Sequence, residues 1–147
     1  MCFDINTNDK AATKKRLKNK PSARVIPVHP KLVEYGFLKY VEEMRAKAGN
    51  QRLFPQLTYS SDEGYGRNLG RWFNERLLPD LGLKTDQLTF HSLRHSMVNR
   101  LVAAKTPEAH LIAIVGHEPG TTATRFYNGL GFPPRLLLDA LEKIDLG

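Results

Sequence analysis

Three stretches of the chain carry side chains of catalytic type at telling spacings: His91-Ser-Leu-Arg-His95, Gly116-His117, and Thr121-Thr-Ala-Thr-Arg-Phe-Tyr127. Positions i, i+3 and i+4 of a helix share a face, so helical geometry would gather His91, Arg94 and His95. Two imidazoles around a guanidinium suit an anion better than a cation. Two histidines four residues apart also occur on zinc-protease helices. That chemistry needs Glu directly after the first His, where Ser92 stands, and Arg94 would repel the metal. No metal site is expected. No Gly-x-x-x-x-Gly-Lys-Ser/Thr stretch or strand-linked Gly-x-Gly-x-x-Gly occurs, which argues against nucleotide hydrolysis. The acidic residues are scattered singly or lie on solvated faces such as Glu42-Glu43, so two-metal phosphodiester chemistry lacks its clustered carboxylates.

The elements that must position these groups fit one domain of 147 residues, long enough to bury a core without staples. The formal net charge is +7, and residues 1 to 31 hold eight basic side chains against two acidic ones. The excess is therefore a local basic patch, and an anionic partner is expected. Pro21-Ser22 separates the basic run from Ala23-Arg-Val-Ile-Pro-Val28, which predicts a β-hairpin with strands near 13–18 and 23–27 and a basic tip. Pro30 suits the first turn of a helix in which Leu32, Val33, Phe37, Leu38, Val41 and Met44 recur at helical spacing, ending near Gly49. Residues 50–66 read as a loop anchored by Leu53-Phe54-Pro55. Leu69, Trp72, Phe73 and Leu77 then predict a helix that ends at Pro79 to Gly82, with further helices over about 91–104, 107–115 and 135–144. Leu111, Ile112 and Val115 are expected in the core. The fold class is mainly α with a small antiparallel sheet at the N-terminal edge. Cys2 is the single cysteine and has no internal disulfide partner, no apolar run approaches the roughly 20 residues of a membrane span, and no signal peptide opens the chain, so a cytoplasmic protein with no membrane partner is expected.

Taken in order, these residues resemble the catalytic domain of the tyrosine recombinases, or phage integrases. His91 and Arg94 match the family's His-x-x-Arg pair, His117 its later Gly-His, and Tyr127 its nucleophile. Lys18-Asn-Lys-Pro-Ser-Ala-Arg-Val-Ile-Pro27 looks like the family's β-hairpin, which puts Lys18 at the catalytic lysine with Lys20 as its rival. The resemblance covers about residues 3 to 144. It implies an integrase-type catalytic domain with the hairpin region in 1–30, a helical body in 31–132 and a C-terminal helix in 133–147. It also implies attack of the tyrosine hydroxyl on duplex DNA, giving a 3′-phosphotyrosyl link without a cofactor. Arg94 would clamp non-bridging phosphate oxygens, and His91 and His117 would donate hydrogen bonds to them, with His91 helping to move the tyrosine proton. Lys18 would protonate the leaving 5′-oxygen. Lys14, Lys15, Arg16, Lys20 and Arg24 are expected to position DNA phosphates without reading bases.

Each of these residues also has a plainer role open to it. A tyrosine near a helix end is commonly a packing residue, a solitary histidine is commonly structural, and Gly116 suits a helix C-cap. His95 is expected to support the phosphate-contacting groups from behind or to be a packing neighbour rather than to touch phosphate itself, and His29 and His110 to be surface or structural. The family also carries an earlier arginine in an Arg-x-x-Glu-like helix, and neither Arg16 nor Arg24 has those surroundings. An N-terminally truncated catalytic domain of impaired activity is therefore expected, with a catalytically incomplete DNA-binding or assembly remnant as the alternative and a type IB topoisomerase-like activity as a third. The terminal helix, with Leu136, Leu137, Leu138, Leu141 and Ile144, is expected either to dock on a second protomer on DNA or to pack within the chain.

Overall fold

The computed structural model describes residues 1–6, 23–47, 52–61, 64–117 and 131–144. The chain divides into two compact units, one made of Met1–Glu34 with Met97–Gly147 and the other of Tyr35–Ser96.

In the first unit, strands β1 (Cys2–Ile5) and β2 (Arg24–Pro27) pair antiparallel with Cys2 opposite Pro27 and Ile5 opposite Arg24. The β-branched Val25 and Ile26 favour this extended pairing, and Pro27, which has no N–H to give, closes the strand. The second expected hairpin strand is thus observed; residues 13–18 lie outside the described residues, and the observed partner is Cys2–Ile5. Helix α1 (Pro30–Glu34) follows with Pro at its first position. His29 caps it: its Nδ1 accepts the Lys31 N–H at 3.0 Å, and its carbonyl accepts the Leu32 N–H at 2.9 Å.

Helices α5 (Ser92–Ala103) and α6 (Glu108–Val115) and the C-terminal helix α7 (Pro134–Glu142) supply most of this unit's core. Leu101, with no exposed surface, packs with Ile114, Val115, Leu137, Ala140, Leu141 and Ile144; Ile26, Met97, Val98, Leu111 and Phe132 lean on the cluster. The apolar face of α7 is therefore covered by its own chain, which is the intramolecular alternative. Leu93 and Val102 of α5 are both exposed, although the sequence pattern counts them among its apolar positions. The end of α5 is a Schellman turn, with Thr106 N–H on Leu101 O at 3.0 Å and Lys105 N–H on Val102 O at 2.9 Å, and it forces Lys105 to φ 54°.

In the second unit the helix expected from Pro30 onward resumes as α2 (Phe37–Ala46) after a break at Gly36, whose φ of 79° no helix interior accepts. Val41 and Met44 are its buried positions. The loop anchor is real: Phe54 stacks on Tyr40 with centroids 5.8 Å apart, and the Tyr40 hydroxyl donates to Leu53 O at 2.8 Å. Helix α3 (Gly66–Trp72) runs through a π-helical turn at Phe73–Leu77 into the short α4 (Leu78–Asp80). Pro79 lies just beyond the widened turn. It has no N–H for the α-helical bond to residue 75, and its ring crowds that carbonyl.

Candidate phosphate-binding site

The π turn positions the first part of the site. Asn74 Oδ1 accepts the Phe90 N–H at 2.8 Å, and Phe73 meets the Phe90 ring edge to face with centroids 5.4 Å apart. Phe90 is thus held by two successive residues of the turn, and His91 follows it directly. The chain enters α5 through a reciprocal cap in which Ser92 Oγ accepts the Thr89 N–H at 3.0 Å and Ser92 N–H bonds Thr89 O at 2.9 Å. Leu93 N–H and Arg94 N–H close similar three-residue bonds onto Phe90 O and His91 O, at 3.3 and 3.0 Å. These first amides of the helix are therefore occupied, and an anion here would be held by side chains.

Those side chains are His91, Arg94 and His95. The rings of His91 and His95 meet edge to face with centroids 5.0 Å apart, and both residues are exposed. Arg94, on the same face as His91 by spacing, is partly buried, and among the described residues its guanidinium has neither a hydrogen bond nor an ion pair. An unpaired, partly desolvated arginine beside imidazoles is equipped to take a phosphate or carboxylate in bidentate fashion.

The Gly116-His117 pair belongs to the first unit. Gly116 ends α6 in the left-handed region at φ 70°, its N–H bonded to Ile112 O at 2.8 Å, so the C-cap expected of this glycine is present. His117 emerges from that cap exposed, with no hydrogen-bond partner among the described residues. Arg24 lies against the same turn: its Nε donates to Ile114 O at 3.1 Å. Sequence reasoning placed Arg24 with the DNA-facing cations and missed this bond, because a backbone carbonyl carries no residue signature.

His110 packs edge to face on Phe132 at 4.7 Å, and His29 is the helix cap described above, its Nε2 buried without a partner among the described residues. Both are structural histidines. Lys14, Lys15, Arg16, Lys18, Lys20 and Tyr127 lie outside the described residues. Among the described residues no three His, Cys, Asp or Glu side chains cluster, and no helix is long and apolar enough to cross a membrane. Compared with protein-family profiles, characterised proteins and solved structures, the chain has no significant match, so its own residues alone must carry a functional conclusion.

Proposed function

We propose that this chain is the catalytic portion of a tyrosine recombinase, cleaving and rejoining duplex DNA through a 3′-phosphotyrosyl intermediate on Tyr127. The observation that carries this is Arg94, which is partly buried at the start of α5, follows His91 and the clamped Phe90, and has no ion pair or hydrogen bond among the described residues. The family resemblance of the ordered set Lys18, His91, Arg94, His117 and Tyr127 supplies the rest.

In this mechanism the Tyr127 hydroxyl oxygen bonds to the scissile phosphorus, and the bond from phosphorus to the 5′-oxygen breaks. The phenolic proton passes toward His91, and Lys18 gives a proton to the departing 5′-oxygen, which leaves as the 5′-hydroxyl. Arg94, His91 and His117 neutralise the equatorial oxygens as negative charge accumulates on them. Rejoining is the reverse with a new 5′-hydroxyl. The phosphotyrosyl ester conserves the bond, so no nucleotide cofactor is consumed.

The test is a pool of nicked suicide duplexes of random sequence, in which the cleaved strand diffuses away and traps the adduct. The wild-type chain is expected to give an adduct stable to denaturing gels, and Tyr127→Phe none, with DNA binding nearly unchanged. Adduct from Tyr127→Phe overturns the assignment. Salt-dependent binding with no wild-type adduct would favour the DNA-binding remnant, in keeping with the single matching arginine in these 147 residues. Relaxation of supercoiled plasmid without strand exchange would favour the topoisomerase-like activity.

A further inference from the structure

The guanidinium of Arg24 occupies an unusual place in the first unit. Its Nε–H is given to Ile114 O, one of the last four carbonyls of α6, which have no partner inside the helix. A cation there also meets the negative end of the helix dipole. The guanidinium lies so close to Gly116 that a Cβ at that position would fall 2.6 Å from Nη1, 2.8 Å from Cζ and 3.2 Å from Nε. The left-handed φ favours glycine at 116, and a Cβ there would push the end of the Arg24 side chain off the turn. The residue after this braced glycine is His117. The strand that carries Arg24 is itself fixed, by pairing with Ile5 and by Ile26 against the core.

We propose that Arg24 is a positioning residue for His117: it locks the C-terminal turn of α6 so that the imidazole is presented in one direction, and it is not itself a DNA phosphate contact. The proposal rests on the assignment of His117 to the phosphate-facing set. A guanidinium laid against a glycine with its Nε–H given to a helix carbonyl is anchored at the α6 turn, unlike a cation at the tip of a mobile side chain. In the same sequence, Lys18 stands six positions before Arg24. The strand from the lysine segment is thereby tied to the turn that presents the histidine.

Arg24→Gln and Arg24→Lys in the full chain test this with two measurements. The first is the long-range ¹H–¹⁵N spectrum of the histidine rings in the DNA-free protein. In Arg24→Gln the His117 signals are expected to shift and broaden, while those of His91 and His95 stay in place. Lysine keeps the charge and lacks the Nε–H, so Arg24→Lys is expected to leave the His117 signals displaced. Unmoved His117 signals in Arg24→Gln, equal disturbance of all three histidines, or full rescue by lysine would overturn the proposal. If Arg24→Gln fails to fold, the lysine variant decides by the same criteria.

The second measurement is the slope of log affinity against log salt for a random duplex. A positioning role leaves the slope unchanged in Arg24→Gln, whereas a phosphate contact lowers it by about 0.9, which overturns the proposal. The two proposals fail separately. A wild-type chain without DNA adduct removes the recombinase function, and the ring spectra still decide the role of Arg24; a wild-type adduct with unmoved His117 signals removes the role of Arg24 alone.

Discussion

Burying part of a guanidinium without a counter-charge costs folding free energy, since lost hydration is not offset by an ion pair. Arg94 is partly buried and has no ion pair among the described residues, which sets up a test of the proposed phosphate role. Arg94→Met preserves the length and apolar stem of the side chain. It is expected to leave the thermal midpoint unchanged or higher while cutting covalent DNA capture by about 10²- to 10³-fold, the scale of losing one transition-state donor. A lowered midpoint with capture intact would make Arg94 a structural residue. The pair of His91 and Arg94 was legible in the sequence because a spacing of three on a helix is itself a geometric statement. The Arg24 contact with α6 was not, because it is made to a carbonyl and a bare Cα remote in the chain. The one trace of it was Gly116 after an apolar helix, which signals a cap and leaves the bracing cation unnamed.

At the scale of elements, hydrophobic periodicity located the helical segments among the described residues and picked out Val41, Met44, Leu101, Ile112, Val115, Leu137 and Leu141, all buried, but not every apolar position it marked is covered. Leu93 and Val102 lie nine positions apart, about half a turn around α5, and both remain exposed, since only the stripe through Val98 and Leu101 meets the core. The break at Gly36 was passed over because Leu32, Val33, Phe37 and Leu38 stay in phase across it. The π turn at Phe73–Leu77 was invisible for a related reason, since one extra residue in a turn barely disturbs a short pattern. Its importance lies in what it holds, the Phe90 backbone and ring just before His91. The Schellman turn after α5 gives a prediction at this scale. Lys105 occupies the left-handed position where glycine is usual, at a cost of roughly 1–2 kcal/mol for a residue with a Cβ. Part of the gain from Lys105→Gly is lost to the freer unfolded chain, about 0.4–1 kcal/mol. A net stabilisation of about 0.5–1 kcal/mol is expected in urea unfolding, and a destabilised variant would show that the lysine side chain does more than occupy the turn.

For the whole molecule, the placement of α7 decides what the end of the chain contributes. Leu137, Ala140, Leu141 and Ile144 are integral to the core of the first unit. Deleting residues 133–147 is accordingly expected to abolish cooperative thermal unfolding, because it uncovers Leu101 and Val115 at once. A truncated chain that still melts cooperatively, and differs only in its assembly on DNA, would restore the intermolecular role. The small sheet and the helical body followed from composition and pattern; that this core is built from both ends of the chain did not, since no local signal announces a contact across ninety positions, the separation of Arg24 from Ile114.

That discontinuity has a consequence for the order of events as the protein is made. The second unit, Tyr35–Ser96, is continuous and leaves the ribosome with all of its own contacts available. Strand β2 emerges earlier but finds its packing partners only when α6 and α7 have been synthesised, so loop closure over most of the chain must precede its docking. Until then Ile26, close in sequence to the most basic stretch of the chain, lacks the core it packs against. An apolar strand next to a run of cations is the kind of segment that chaperones hold, and the interval before α7 appears is when such holding would count most.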